Sequence, residues 1–315
     1  MITPTDPLSD LLRTVRLDGA YFLGVEARNP WRVLSPEIGT FAPRILPTAG
    51  HVMSFHLVTG GTCHARLVGE EAVELVAGDV IVFPHGGRHE LSSDATFSAR
   101  NAMTAGIPAR FPHTVVVGDD GPVGASFVCG YLGCDRLPVN PFLAALPRQI
   151  HVRAMSTEWL ATFIEQLTEE SSHGRAGADT VLTRLAELML VDVLRRYLDE
   201  IPAAGPGSLA GLGDDVVSRA LALVHARPGH PWKLRDLARE AASSRSNLTK
   251  RFTELVGQPP MQYVARLRMQ VASTLLAETG AKVAAIGTEV GYDSEAAFSR
   301  AFKKATTLAP GAWRQ

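Results

Sequence analysis

Five histidines and a cysteine, His51, His56, Cys63, His64, His85 and His89, fall within a short stretch of this 315-residue chain. Imidazole and thiolate are ligands of zinc, copper and iron, so metal binding is the first chemistry to test. A catalytic metal needs three or more protein donors converging on one point. The irregular histidine spacing does not promise that, and Cys129-x4-Cys134 is too loosely spaced and lacks a partner pair. Hydrogen-bonded or surface histidines are expected instead, with no metal and no other cofactor. The three cysteines are few and odd in number, which argues against a disulfide framework.

The second chemistry is charge. Residues 208–315 hold 15 Lys and Arg against 9 Asp and Glu, net +6, whereas residues 1–207 are net −7. All five lysines (Lys233, Lys250, Lys282, Lys303 and Lys304) lie in the basic part. A basic segment joined to an acidic one implies that only the former meets a polyanion. The remaining composition, 46% hydrophobic and 20% charged, is that of a water-soluble chain with room for two domains. No apolar run approaches the ~18–20 residues of a membrane span. The start, MITPTDPLSDLLRTVRL, carries acids and no apolar core, so no signal peptide is read there. A cytoplasmic protein with no membrane partner is expected.

The elements that must carry the basic residues occur twice. Leu237-Ala238-x2-Ala241 leads to Ser244, Leu248, Phe252, Gly257, Pro260 and Tyr263. Ile286-Gly287-x2-Val290 leads to Ser294, Phe298, Phe302, Thr307, Pro310 and Trp313. The offset is 49 residues before the serines and 50 from them onward, so the second copy has one extra residue in its turn. Each copy reads as a short helix, a tight turn and a longer helix, over about 234–255 and 283–305. Ser244 and Ser294 cap the longer helices, and Leu248/Phe252 and Phe298/Phe302 seat them at i,i+4. Ala238 and Gly287 stand where the paired helices cross closely. A helix over 214–226 precedes the copies, and one from Met261 to about Glu278 joins them.

Upstream the pattern changes. Residues 1 to about 153 show short runs such as Val80–Phe83 and Thr114–Val117, separated by turn signals at Thr59-Gly60-Gly61, Ala77-Gly78-Asp79, His85-Gly86-Gly87 and Gly118–Gly121. Short strands so punctuated predict an all-β sandwich or barrel. From Ser156 the period is helical, through Trp159, Phe163 and Leu167. A second helix, about 178–200, lines up Val181, Leu185, Leu188, Met189, Val193 and Leu194 as one apolar stripe. That stripe serves either an intrachain core or a homodimer contact. Ile201–Ser208, rich in Pro, Ala and Gly, reads as a linker.

Residues 232–314 resemble the AraC/XylS-type DNA-binding domain, in which a central helix pairs two helix-turn-helix units. IGTEVGYDSEAAFSRAFKK (286–304), Pro310 and Trp313-Arg314, with LAREAASSRSNLTKRFTELVGQPPMQYV (237–264), carry the resemblance. It implies that Ser246, Asn247, Thr249 and Lys250 of the first recognition helix face bases, as do Glu295, Ala296, Ser299 and Arg300 of the second. Chemistry then sorts them: Lys250 or Arg300 suits guanine, Glu295 cytosine N4, and Ala296 a thymine methyl. Arg245, Arg251, Lys303 and Lys304 are the expected phosphate clamps. Two such helices should enter successive major grooves about 34 Å apart. Thr307 departs from the first copy's Gly257; a left-handed helix end there is disfavoured for Thr by roughly 1–2 kcal/mol, so the last helix is expected to end differently or to be held by Trp313.

GDVIVFPHGGRH (78–89) fits the second motif of the cupin fold, and residues 50–91 resemble the cupin-like sensor domain of AraC-type regulators. His51-x-Met53 breaks the H-x-H of metal cupins. The expected architecture is a multidomain α+β chain: an all-β cupin or jelly-roll domain (1–153), a helical dimerisation and linker region (154–207), and an all-α double helix-turn-helix domain (208–315). The resemblance implies a transcription regulator rather than an enzyme, a small-molecule effector with unknown contact residues, RNA polymerase as a partner, and a homodimer through the 178–200 helix. A cupin metalloenzyme (oxygenase or isomerase) fused to a DNA-binding domain is the competing reading, and a non-specific architectural DNA binder a third.

Overall fold

The computed structural model describes residues 17–35, 38–99, 111–134, 146–153, 155–173, 175–200 and 214–314. The segment before Leu17 and the linker over Ile201–Ser208 lie outside the described residues. Contacts divide the described residues into two compact units, one over 17–134 and 147–199 and one over 214–314.

The first unit is strand-rich. Its strands are β1 (Leu17–Arg28), β2 (Arg32–Leu34), β3 (His51–Leu67), β4 (Val73–Val76), β5 (Val80–Phe83), β6 (His89–Ser92), β7 (Thr114–Gly118), β8 (Val123–Cys134) and β9 (Ile150–Val152), with helix α1 (Ile38–Ile45) after β2. The main order is β2-β6-β3-β8-β1-β7, in which β7 joins β1 in parallel. One strand makes the architecture. The first part of β3 pairs with β8 and β5, while Thr62 onward pairs with β4 and β6.

Thr59-Gly60-Gly61, read from sequence as a turn, is therefore a bend inside one continuous strand. The β3–β8 register slips between Val58 and Gly60, and Gly61 takes φ +71°. A Cβ on Gly61 would stand 2.0 Å from the Gly124 carbonyl oxygen, so only glycine lets the strand fold across its neighbour there. The curled sheet encloses Leu23, Val25, Trp31, Leu67, Phe83, Leu91, Phe127 and Tyr131.

Two helices complete this unit, α2 (Thr157–His173) and α3 (Ala178–Glu200). The Ser156 hydroxyl accepts from the Trp159 N–H at 3.3 Å, capping α2, which buries Phe163 and Leu167. Helix α3 buries Leu182, Ala186, Met189, Leu190, Val193 and Leu194. Val181 and Leu188, assigned from sequence to the same stripe, are instead 38% and 63% exposed. The apolar positions are too many for one face, so they divide into an inner stripe and an outer ridge.

The second unit is helical: α4 (Asp215–Ala226), α5 (Leu234–Glu240), α6 (Arg245–Val256), α7 (Pro260–Glu278), α8 (Val283–Glu289), α9 (Glu295–Thr306) and the short α10 (Pro310–Trp313). Asp214 caps α4, its carboxylate accepting from the Val216 and Val217 N–H groups. The long helix α7 serves both copies. Its first half brings Tyr263 against Phe252 of α6, at a ring separation of 5.6 Å. Its second half gives Met269, Ala272 and Leu276 to a core with Ile286, Val290, Phe298 and Phe302.

Candidate nucleic-acid interface

The two helix-turn-helix units are built alike down to their hydrogen bonds. In the first, the N–H groups of Ala241, Ala242 and Ser243 reach the carbonyls of Leu237, Arg239 and Ala238. In the second, Val290, Gly291 and Tyr292 bond in the same pattern to Ile286, Thr288 and Gly287. The extra residue of the second turn is therefore Asp293, between Tyr292 and the cap. Both caps form as expected: Ser244 accepts from the Asn247 N–H and Ser294 from the Ala297 N–H, each at 3.2 Å. A Cβ on Gly287 would lie 3.1 Å from Phe298, which is the close crossing inferred from sequence.

Burying Leu248, Phe252 and Val256 turns the other face of α6 outward, and Phe298, Phe302 and Thr306 do the same for α9. Arg245, Ser246, Asn247, Lys250 and Arg251 are exposed and Thr249 half-buried; Glu295, Ala296, Arg300, Lys303 and Lys304 are exposed and Ser299 half-buried. The candidates thus gather on two outward faces. Their states differ. The Asn247 amide donates to the Ser243 hydroxyl at 2.8 Å, and the Ser246 and Ser244 hydroxyls lie 3.3 Å apart. Arg251 pairs with Asp214, the cap of α4. Among the described residues, none forms an ion pair with Arg245, Lys250, Arg300, Lys303 or Lys304. Sequence reading missed the Arg251 pairing, which joins residues from two helices and leaves no local pattern.

Thr307 does not end α9 differently. It takes φ +67° beside +78° at Gly257, and its N–H bonds the Lys303 carbonyl at 2.9 Å as Gly257 bonds Thr253 at 3.0 Å. Trp313 does pack nearby, with its ring 5.6 Å from Phe302 and its indole N–H donating to the Ser273 carbonyl at 3.2 Å.

In the strand-rich unit, two of the six clustered residues meet. His89 Nδ1 lies 2.8 Å from the Gly87 carbonyl, which can only accept, so that nitrogen carries the proton. His89 Nε2 then accepts from His56 Nε2–H at 2.7 Å, and His56 Nδ1 accepts from the Cys129 thiol at 2.8 Å. Burial, with the neighbouring His89, holds His56 well below the usual imidazole range. Burial takes His89 down to about 4, although its backbone bond to Gly87 opposes this. Burial also raises the Cys129 thiol, which stays protonated. Cys129 and His89 touch opposite nitrogens of His56, so the three donors form a line rather than a triangle. Among the described residues, no three His, Cys, Asp or Glu side chains converge as a metal site. His51, outside this line, lies 2.7 Å from the Pro84 carbonyl.

These imidazoles border an enclosed apolar cavity of about 30 Å³, walled also by Leu23, Val25, Leu91, Phe127 and Tyr131. A more open cleft of about 440 Å³ lies on the outer side, between Gly24, Glu26, Ser126, Val128 and Phe111 of the strand region and Leu160 and Ile164 of α2.

A curled β unit and a paired helix-turn-helix unit, the latter with two capped helices turning cations outward, define the two-part class of DNA-binding regulators. Residues 6–199 match a family model described as cupin, and residues 237–315 match one described as a helix-turn-helix domain. Relatives named as AraC-like transcription regulators in Streptomyces lividans and Streptomyces antibioticus are 33% and 32% identical, each alignment covering 98% of both chains. The HTH-type transcriptional regulator AlkR of Acinetobacter baylyi is 27% identical, over 98% of this chain and 99% of its own. The chain belongs to the family of AraC-like transcription regulators, with a cupin domain ahead of a DNA-binding helix-turn-helix domain. No described helix is long and apolar enough to cross a membrane.

Proposed function

We propose that the protein is a sequence-specific, effector-responsive regulator that binds promoter DNA in the cytoplasm and acts on RNA polymerase there. The observation that carries the specific reading is the pair of outward faces, each with one long cation at an expected base-facing position that has no ion-pair partner among the described residues, Lys250 on α6 and Arg300 on α9. Either suits guanine O6/N7, while Glu295 can accept from cytosine N4 and Ala296 can meet a thymine methyl. Arg245, Lys303 and Lys304 are the proposed phosphate holders; Arg251, already engaged with Asp214, would have to share or leave that pair to do the same. Ser246 and Asn247 each hold a local bond that a base contact would have to share or replace, which ranks them below Lys250, Thr249 and Ser299 as direct readers.

The test is selection of binding sites from a random duplex library, followed by affinity measurement. Arg300→Ala is expected to weaken the selected site by about 1–3 kcal/mol and relax preference at one base pair. An equal loss on every sequence would make Arg300 a phosphate contact. Recovery of no motif by the unaltered protein would remove specific reading altogether.

The effector is assigned to the cupin unit because that unit offers both spaces described above. The inner cavity takes one or two waters as it stands, so an effector of ordinary size enters only by parting its wall. Such a ligand would favour an opened state by differential affinity. The outer cleft already has the volume of a small-molecule site, a specific reason to consider it second. Tyr131→Trp, which fills the inner cavity, abolishes a metabolite response seated inside and spares one seated in the cleft. A homodimer through the ridge at Val181 and Leu188 would cover the exposed apolar side of α3. Sedimentation showing a monomer at every concentration, with and without DNA, rules it out.

A further inference from the structure

Helix α7 changes cores at its middle. Tyr263 packs with the first copy, Met269 onward with the second, and Arg268 stands between them. Its guanidinium makes three hydrogen bonds, all to backbone carbonyls: Nε to Pro228 at 3.0 Å, Nη2 to His230 at 2.7 Å and Nη1 to Gly291 at 3.2 Å. Pro228 and His230 belong to the loop that leads into α5, the entry of the first helix-turn-helix unit. Gly291 is the turn of the second. Arg268 thus ties the two units together at a point away from the helix backbone that already connects them.

The same loops touch without side chains between them. A Cβ on Gly229 would stand 2.1 Å from the Glu289 carbonyl oxygen, and one on Gly291 would stand 2.5 Å from the Gly229 carbonyl oxygen. Real Cβ atoms do not approach so closely, so both positions are reserved for direct backbone contact. Removing the tie would leave the joint between the two cores to the middle turn of α7 and the side-chain-free loop contact, and such a joint can bend or twist.

We propose that Arg268, acting with the Gly229–Gly291 contact, fixes the distance and rotation between the two recognition helices, and so sets the half-site spacing the protein accepts. This rests on the reading of α6 and α9 as the DNA-contacting helices. Arg268 is a positioning residue: its guanidinium is engaged with backbone carbonyls of both units, and its planar fork suits three diverging acceptors. Lysine at 268 keeps the charge and stem but concentrates its donors on one atom. Alanine at 229 attacks the same joint from the other side by wedging the loops apart.

Three versions of the full chain test this: unaltered, Arg268→Lys and Gly229→Ala. Sites are selected from a random-sequence duplex library, and each best site is then rebuilt with one or two base pairs inserted between its halves. The unaltered protein is expected to recover two half-motifs at a single spacing and to lose about 30-fold or more in affinity for each inserted pair. Both variants should recover the same half-motifs at several spacings, with the insertion penalty reduced to about 5-fold or less. Either variant, folded as judged by circular dichroism and cooperative melting, that retains one spacing and the full penalty overturns the proposal. A merely stabilising role would shift melting and leave the spacing preference unchanged. Loss of the half-motifs in the unaltered protein would instead strike at DNA reading itself, which separates the two failures.

Discussion

Ala242 and Thr307 occupy backbone positions that suit glycine, at φ +55° and +67°, and each has a glycine as its counterpart in the other copy: Gly291 at +83° and Gly257 at +78°. The duplicated units therefore share two left-handed residues per copy, and each copy has kept glycine at only one. A Cβ in this region costs roughly 1–2 kcal/mol, partly offset because glycine loses more freedom on folding. Ala242→Gly and Thr307→Gly are each expected to stabilise the helical unit by about 1 kcal/mol, read as a rise in its calorimetric transition. The substitutions lie in different turns, so the double variant should approach the sum. A lowered transition in either would mean that its methyl or hydroxyl group supplies more packing than the strain removes. Ala242 also shows a limit of pattern reading, because alanine in a turn looks harmless until its φ is known.

At the scale of elements, the histidine line sews three strands together: His56 of β3, His89 of β6 and Cys129 of β8. Phe83 stacks on His89 at 4.0 Å, and among the described residues no carboxylate joins the line. Both imidazoles titrate below their ordinary value in the folded state, so the unfolded chain takes up protons first as pH falls. Stability of the strand-rich unit is thus fullest above pH 6.5 and declines toward pH 4, the window set by His89. The depression of His89 alone predicts a loss of about 2 kcal/mol between pH 7.5 and pH 5. Urea midpoints across that range check it, and His89→Gln should flatten the slope; an unchanged slope would place the titration elsewhere. Much of this element layer was legible in advance. Helical periodicity marked α2 and α3, and the serine caps marked α6 and α9, because those signals reside in neighbouring residues. The parallel β1–β7 pairing, the passage of β3 across two sheets, the Cys129–His56 contact and the Arg268 clamp were not legible. Each depends on residues far apart in sequence, and a Gly-Gly pair reads alike whether it turns a chain or bends a strand.

For the whole molecule, charge is divided as the architecture is, −7 in residues 1–207 and +6 in residues 208–315. A surplus of +6 is too small to hold DNA by bulk attraction, so the arrangement of individual cations has to decide. Arg227 pairs with Glu240, Arg251 with Asp214, and Arg268 is committed to carbonyls. The cations of α6 and α9 that have no ion-pair partner among the described residues are Arg245, Lys250, Arg300, Lys303 and Lys304. If three to five of these displace counterions, the logarithm of affinity should fall with the logarithm of salt at a slope of about −2.7 to −4.5 per protomer. Lys303→Ala and Lys304→Ala should each make that slope shallower by about 1, with the preferred sequence unchanged. Arg251→Ala should leave the slope alone and lower stability instead, because its loss strips Asp214 of its partner. A slope near zero would mean that the outward cations do not meet phosphate. An Arg251 variant that behaves like the lysine variants would show that the Asp214 pair opens on binding, making the cap of α4 part of the DNA contact.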